Sequence, residues 1–213
     1  MNLETSLIEL RQYTLHTGQR DALIELFEGK LITGQEDAGM YLIGQFYDLD
    51  RPDCFVWIRA FPSMEKRKEA LEQFYFGAIW QAHREAANTT MIDSDNVLLL
   101  KPIQGFSSLE QRKHKDGILV VLIYKNLESV ATFYSFQLEP TLQTAKAEIL
   151  ATYCTENSQN TFPKLPVRPE TVFVCFVRFE SQSAFESHRS SLENLSSNTL
   201  ELLRLHSTLA SRL

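Results

Sequence analysis

Glu9, Arg11 and Tyr13 alternate with Ile8 and Leu10 at the start of the chain. A period of two is that of a β-strand, so the three polar residues share one face and the aliphatic pair the other. The segment Phe55–Phe61 repeats the pattern, with Val56, Ile58 and Ala60 on one side and Phe55, Trp57, Arg59 and Phe61 on the opposite side. A carboxylate, two guanidiniums, a phenol and an indole on two strands support two chemistries. They form a structural ion pair, Glu9 with Arg59 or with Arg11, or they line a wet pocket. In such a pocket Tyr13 and Trp57 stack on an aromatic ligand and an arginine holds its anionic group. Tyr47, on a further strand, completes the candidate ligand-binding set of Glu9, Arg11, Tyr13, Tyr47, Trp57 and Arg59.

His83 is the candidate acid or base, because imidazole titrates near neutral pH. Arg84 is adjacent, but consecutive helical residues diverge by about 100° and do not face one atom together. Tyr13 is the second candidate for moving a proton. The bland reading of His83 is a helix-end residue bonding a carbonyl. Asp93 and Asp95 read as a carboxylate pair or as turn residues ahead of a strand. The five histidines show no ligand spacing, so no metal is expected. Glycine-rich phosphate loops and nucleophile elbows are absent from the sequence.

These residues belong to a unit that occurs twice. Residue i set beside residue i + 107 pairs Phe27 with Tyr134, Leu31 with Leu138, Ala38 with Ala145, Leu42 with Ile149 and Phe46 with Tyr153. At an offset of 118, Phe55-Val56 meets Phe173-Val174 and Phe61 meets Phe179, so the intervening loop of the second copy is eleven residues longer. That loop carries Pro163, Pro166 and Pro169.

The first copy reads as a strand (8–15), a helix (19–37), strands at 41–48 and 55–61, a helix opened by Ser63 and broken at Gly77, and a strand (96–100) ended by Pro102. The second reads as a strand (118–125), a helix (127–145) interrupted by Pro140, strands at 149–153 and 172–179, a helix near 183–195 and a strand near 200–205. Strand–helix–strand–strand–helix–strand is the split βαβ, or ferredoxin-like, unit. The predicted fold class is therefore α+β: two tandem ferredoxin-like (βαββαβ) units whose antiparallel sheets pack face to face as an α+β barrel. The expected domains are residues 1–103 and 118–213, with a linker at 104–117.

An open apolar sheet face needs a partner, and each unit supplies one for the other. The aliphatic faces of the strands are expected to pack on helices, which turns Glu9, Arg11, Trp57 and Arg59 toward the barrel interior. In the second copy Glu9 becomes Val120, Arg11 becomes Leu122, Trp57 becomes Cys175 and Arg59 becomes Val177. One site per chain, in the first half, is the expectation.

Composition limits the partners. A net charge of −6 argues against binding a phosphate backbone. The basic cluster Arg112-Lys113-His114-Lys115 reads as a solvated linker. No apolar run approaches the roughly 20 residues needed to span a bilayer, so neither nucleic acid nor membrane is an expected partner. Cys54, Cys154 and Cys175 form no paired spacing. With no apolar signal core after Met1, they point to a cytoplasmic protein. Pairing of whole chains into a homo-oligomer is left open.

The order Glu9-Leu10-Arg11-x-Tyr13, Ala38-Gly39, Phe55-Val56-Trp57-x-Arg59-x-Phe61, Trp80-x-x-His83-Arg84-x-x-Ala87-Asn88 and Met91–Asn96 resembles the NIPSNAP family. The resemblance covers residues 7 to 101 well. Residues 118 to 210 are covered more weakly, through Asn160-Thr161-Phe162-Pro163 and Phe173–Phe179. It implies a ferredoxin-like fold of the dimeric α+β barrel group, which includes cofactor-free monooxygenases, haem-degrading enzymes and muconolactone isomerases. It implies no particular reaction. The second half lacks a counterpart to residues 78 to 90. The leading reading is a protein that binds a small aromatic or anionic organic molecule in the N-terminal half, without a cofactor; haem is not expected. The alternatives are a non-catalytic scaffold with a filled barrel, and a cofactor-free monooxygenase or isomerase in which Tyr13 or His83 moves the proton.

Overall fold

The computed structural model describes residues 2–107, 109, 117–195 and 200–213. The basic cluster at 112–115 lies outside the described residues.

Alternating segments become eight antiparallel strands: β1 (Leu7–Leu15), β2 (Tyr41–Asp48), β3 (Cys54–Phe61), β4 (Met91–Gln104), β5 (Ile118–Lys125), β6 (Glu148–Thr155), β7 (Val172–Phe179) and β8 (Leu200–Ser207). They close a barrel in the order β1-β3-β2-β8-β5-β7-β6-β4. Each ferredoxin-like half contributes four neighbours. The halves join edge to edge where β2 pairs with β8 and β4 with β6, so no open sheet edge remains among these strands.

The first helical segment is α1 (Arg20–Leu26), a π-helical turn (Phe27–Leu31) and α2 (Ile32–Asp37). The second half repeats it as α5 (Val130–Phe133), a π-helical turn (Tyr134–Leu138) and α6 (Glu139–Thr144). The two π-turns fall at the same place of the repeat. Pro140 therefore does not interrupt the helix. It sits in the first turn after the widened π-turn, where its missing N–H is tolerated.

Between β3 and β4 lie α3 (Met64–Tyr75) and α4 (Ala78–Asn88). Ser63 caps α3 through its hydroxyl on the Lys66 N–H, and Gly77 begins α4. Among the described residues the second half has the shorter α7 (Gln182–Glu186) and α8 (Arg189–Glu193) there. Pro102 does not end β4: the strand runs on to Gln104, with Pro102 opposite Tyr153 beside a register shift. Asp93 and Asp95 lie within β4, not ahead of it.

The faces of the sheet are the reverse of the expectation. Ile8, Leu10, Val56, Ile58 and Ala60 share one buried cluster with Leu119, Val121, Ile123, Val174 and Phe176 from the other half, so they fill the barrel. Tyr13, Phe55, Trp57 and Phe61 pack with Leu23, Phe27, Leu71 and Phe74 under the first half's helices. Size is the physical reason. The eight-stranded interior is just wide enough for side chains to fill and already holds Phe46, Phe106, Tyr153 and Phe176, so β1 and β3 contribute compact aliphatics to it, while Phe55, Trp57 and Phe61 pack against the helices. The polar set thus faces the helices, and it is buried there.

Candidate functional site

Glu9 and Arg59 are direct cross-strand partners of β1 and β3, as are Arg11 and Trp57. This register places a carboxylate, two guanidiniums and an indole side by side beneath the helices. Glu9 Oε2 accepts from Arg11 Nη1 at 2.8 Å and from Arg59 Nε at 2.8 Å. Glu9 Oε1 accepts from Arg67 Nε, on α3, at 2.6 Å. Arg59 Nη2 lies 2.7 Å from the same carboxylate without a hydrogen-bonding angle. Glu9, Arg59 and Arg67 are fully buried and Arg11 is 1% exposed. Three guanidiniums therefore surround one carboxylate.

The outer donors of the cluster are held in turn. Arg59 Nη1 donates to Gln35 Oε1 at 2.9 Å, Arg11 Nε to Tyr13 Oη at 3.0 Å, and Arg67 Nη1 to Asn160 Oδ1 at 3.0 Å. The guanidinium carbons of Arg11 and Arg59 lie 5.3 and 5.0 Å from the Trp57 ring, within cation–π range. Burial alone would raise the Glu9 pKa, but the charges of Arg59, Arg11 and Arg67 outweigh it and hold the carboxyl well below its ordinary range. Burial is also the largest influence on Tyr13 and raises it, against the opposing charge of Arg11. Tyr13 is a neutral phenol at physiological pH.

A cavity opens beside this cluster. Its wall is Tyr13, Gln35, Trp57 and Tyr75 with apolar side chains that include Phe27 and Trp80, and about 30 Å³ is open to the centre of a water-sized sphere. That is room for roughly two waters. Trp57 Nε1 and Arg67 Nη2 are buried without a hydrogen-bond partner among the described residues.

Five of the sequence-predicted residues, Glu9, Arg11, Tyr13, Trp57 and Arg59, come together, in the helix layer and not in the barrel interior. Tyr47 projects to the same side but is half-buried and stacks beneath Arg20, whose guanidinium carbon is 5.0 Å from the ring. It is not on the cavity wall. His83 is half-buried on α4, between the wall residues Trp80 and Ala87, and is not on the wall either. Among the described residues no group of His, Cys, Asp and Glu is placed to hold a metal ion.

The sequence reading missed Arg67, Gln35 and Asn160. Arg67 stands on the stripe Arg67, Ala70, Leu71, Phe74, all buried. An arginine at a core position of an amphipathic helix was a legible signal. Gln35 falls likewise between Leu31 and Ala38. Asn160 gave no such signal, because its loop comes from the other half.

Residues 8–108 match the NIPSNAP family model. This segment is a NIPSNAP domain. Every side chain of the cluster except Asn160 lies inside it. No curated protein sequence matches the chain. Among solved structures, a protein from Lactobacillus acidophilus provisionally named a monooxygenase superposes with a TM-score of 0.60 at 14% identity, over 98% of this chain and 97% of that one. An anthrone oxidase-like protein superposes with a TM-score of 0.58 at 12% identity, over 98% and 94%. A NIPSNAP family protein of unknown function from Agrobacterium tumefaciens is 22% identical over 47% of this chain and 91% of its own, with a TM-score of 0.44. At these identities the two whole-chain likenesses establish the α+β barrel fold.

Proposed function

We propose that the NIPSNAP domain binds a small organic molecule, aromatic or anionic, in the cavity between the N-terminal sheet and its helices. The observation that carries this reading is the junction of an aromatic wall with a buried polar cluster whose donors are not all used. A filled structural core at this position would use them, since an unpaired buried donor costs about 1–3 kcal/mol. Trp57 and Tyr13 supply the flat surfaces. Tyr13, held by Arg11 Nε as an acceptor, keeps its own O–H to donate.

A thermal-shift panel of phenols, quinones and short-chain acids tests it. A ligand at about a hundred times its Kd adds about 2.7 kcal/mol, a rise of roughly 5–10 °C for a chain of this size. The rise should vanish in Trp57→Phe. A flat response to the whole panel favours the scaffold reading.

A cofactor-free oxygenase is the second reading, favoured by the fold shared with the structure provisionally named a monooxygenase and with the anthrone oxidase-like one. It requires a substrate methylene and O2 to give a carbonyl and water, with Tyr13 donating to the developing oxyanion. About 30 Å³ of free space does not admit a tricyclic ring, so this reading also requires the helices to move. Oxygen uptake with an anthrone and no added cofactor would decide it.

A further inference from the structure

The cavity wall and the charge cluster share three side chains, Tyr13, Gln35 and Trp57, and each carries an N–H or O–H that the cluster does not use. Gln35 Oε1 accepts from Arg59 Nη1, which leaves its amide N–H groups. Tyr13 Oη already accepts from Arg11, which leaves its O–H. Trp57 has only an N–H, and that N–H is buried and unpartnered. Gln35 and Trp57 are 1% and 2% exposed. Behind them stand three guanidiniums and one carboxylate, an excess of two positive charges with no second acid bonded to them among the described residues. Buried cations without counter-charge are costly, and at low dielectric their field reaches through one layer of side chains.

We infer that the cavity receives the carboxylate head of a small organic acid, with its two oxygens on the donors of Tyr13, Gln35 and Trp57. This rests on the small-molecule reading above and names the ligand class. Free space for roughly two waters suits two carboxylate oxygens. A tetrahedral phosphate needs more room and direct guanidinium forks, and here the guanidiniums stand behind the wall. The body of the acid extends toward Tyr75 and Trp80, which with Met91 are the half-buried residues of the wall. The second half keeps only the phenol. Its counterparts to Gln35 and Trp57 are Leu142 and Cys175, and only Tyr13 retains its type, in Tyr124.

The chain has two tryptophans, Trp57 and Trp80, so two indole N–H resonances report on the site in a 15N-labelled sample, and Trp80→Phe assigns them. Acetate and propionate are titrated against acetamide and propionamide, which match them in shape and lack the charge. The expected result is a saturable downfield shift of the Trp57 indole proton, with at least tenfold tighter binding of each acid than of its amide. Tyr13→Phe and Gln35→Leu should each weaken the acid about tenfold and leave the amide unchanged. Gln35→Leu installs the residue the second half already packs at this position. Equal binding of acid and amide would overturn the carboxylate assignment while the small-molecule reading stands. Chloride or nitrate binding as tightly as acetate would overturn it in favour of an inorganic-anion site. No shift with any acid or amide, together with a flat thermal panel, removes both.

Discussion

Arg67 and Phe185 occupy the same position in the two halves. Each lies four residues after the serine that caps its helix, Ser63 or Ser181, and donates its backbone N–H to that serine's carbonyl. Each is fully buried. The exchange of a guanidinium for a phenyl ring continues through the cluster: Glu9 against Val120, Arg11 against Leu122, Gln35 against Leu142, Arg59 against Val177. One architecture thus holds a polar and an apolar solution to the same packing problem.

The first prediction follows from that pair of solutions. Glu9→Gln leaves three guanidiniums without an anion and should cost about 3–5 kcal/mol in urea unfolding. Moving the apolar set across as a unit, Glu9→Val, Arg11→Leu, Gln35→Leu, Arg59→Val and Arg67→Phe, should bring stability back to within about 2 kcal/mol of wild type. The fivefold variant should bind no acid. If it is less stable than Glu9→Gln alone, the two halves do not share packing.

Acid should expose Glu9 selectively. Its folded pKa is depressed, because the charges of Arg59, Arg11 and Arg67 outweigh the opposing effect of burial. Its stabilisation is therefore complete above the unfolded value of about 4.3 and is lost as pH falls toward the folded value. In that window the unfolded chain carries the extra proton, so unfolding free energy rises with pH, by up to about 1.4 kcal/mol per unit. Subtracting the Glu9→Gln profile from the wild-type profile between about pH 5 and 2.5 isolates this slope. Parallel profiles would mean that Glu9 titrates as an ordinary carboxylate.

The long loop of the second half is a strap over the first half's site. Asn160 accepts from Arg67 and from the Phe162 N–H, and Thr161 donates to the Met64 carbonyl. The Phe162 ring is 6% exposed and stacks on Tyr75 at 5.8 Å. Phe162→Ala should cost about 3 kcal/mol and uncover the cavity at Tyr75, accelerating exchange of any bound acid. Asn160→Ala should cost about 1.5–3 kcal/mol, the worth of a hydrogen bond to a charged group. Unchanged ligand off-rates in both variants would mean that the strap does not cover the entrance.

Thiol chemistry separates the three cysteines. Burial pushes Cys175 up to about 12 and Cys54 up to about 11, and raises the half-buried Cys154 as well. With an aromatic disulfide reagent near pH 8, the native protein should react slowly at Cys154 alone, and Cys154→Ser should silence it. The other two thiols should appear only on unfolding. Fast labelling of Cys54 or Cys175 in the native state would contradict this order.

The repeat, the strand periods and the helix caps were legible in the chain, because they depend on local spacing. Glu9, Arg11, Trp57 and Arg59 stood out for the same reason: charge and aromatic bulk recur at a period of two where the second half shows only apolar residues. Period two separates two faces but does not say which faces inward, and here the compact aliphatics of β1 and β3 went into the barrel beside Phe46, Phe106, Tyr153 and Phe176, while the aromatics of those two strands went under the helices. Arg67 and Gln35 were half-legible, as polar residues on apolar stripes. Tertiary structure alone brought Asn160 to Arg67, across 93 positions of sequence. It alone showed that three guanidiniums converge on one carboxylate, because only the closure of the helices over the sheet sets those charges at hydrogen-bonding distance.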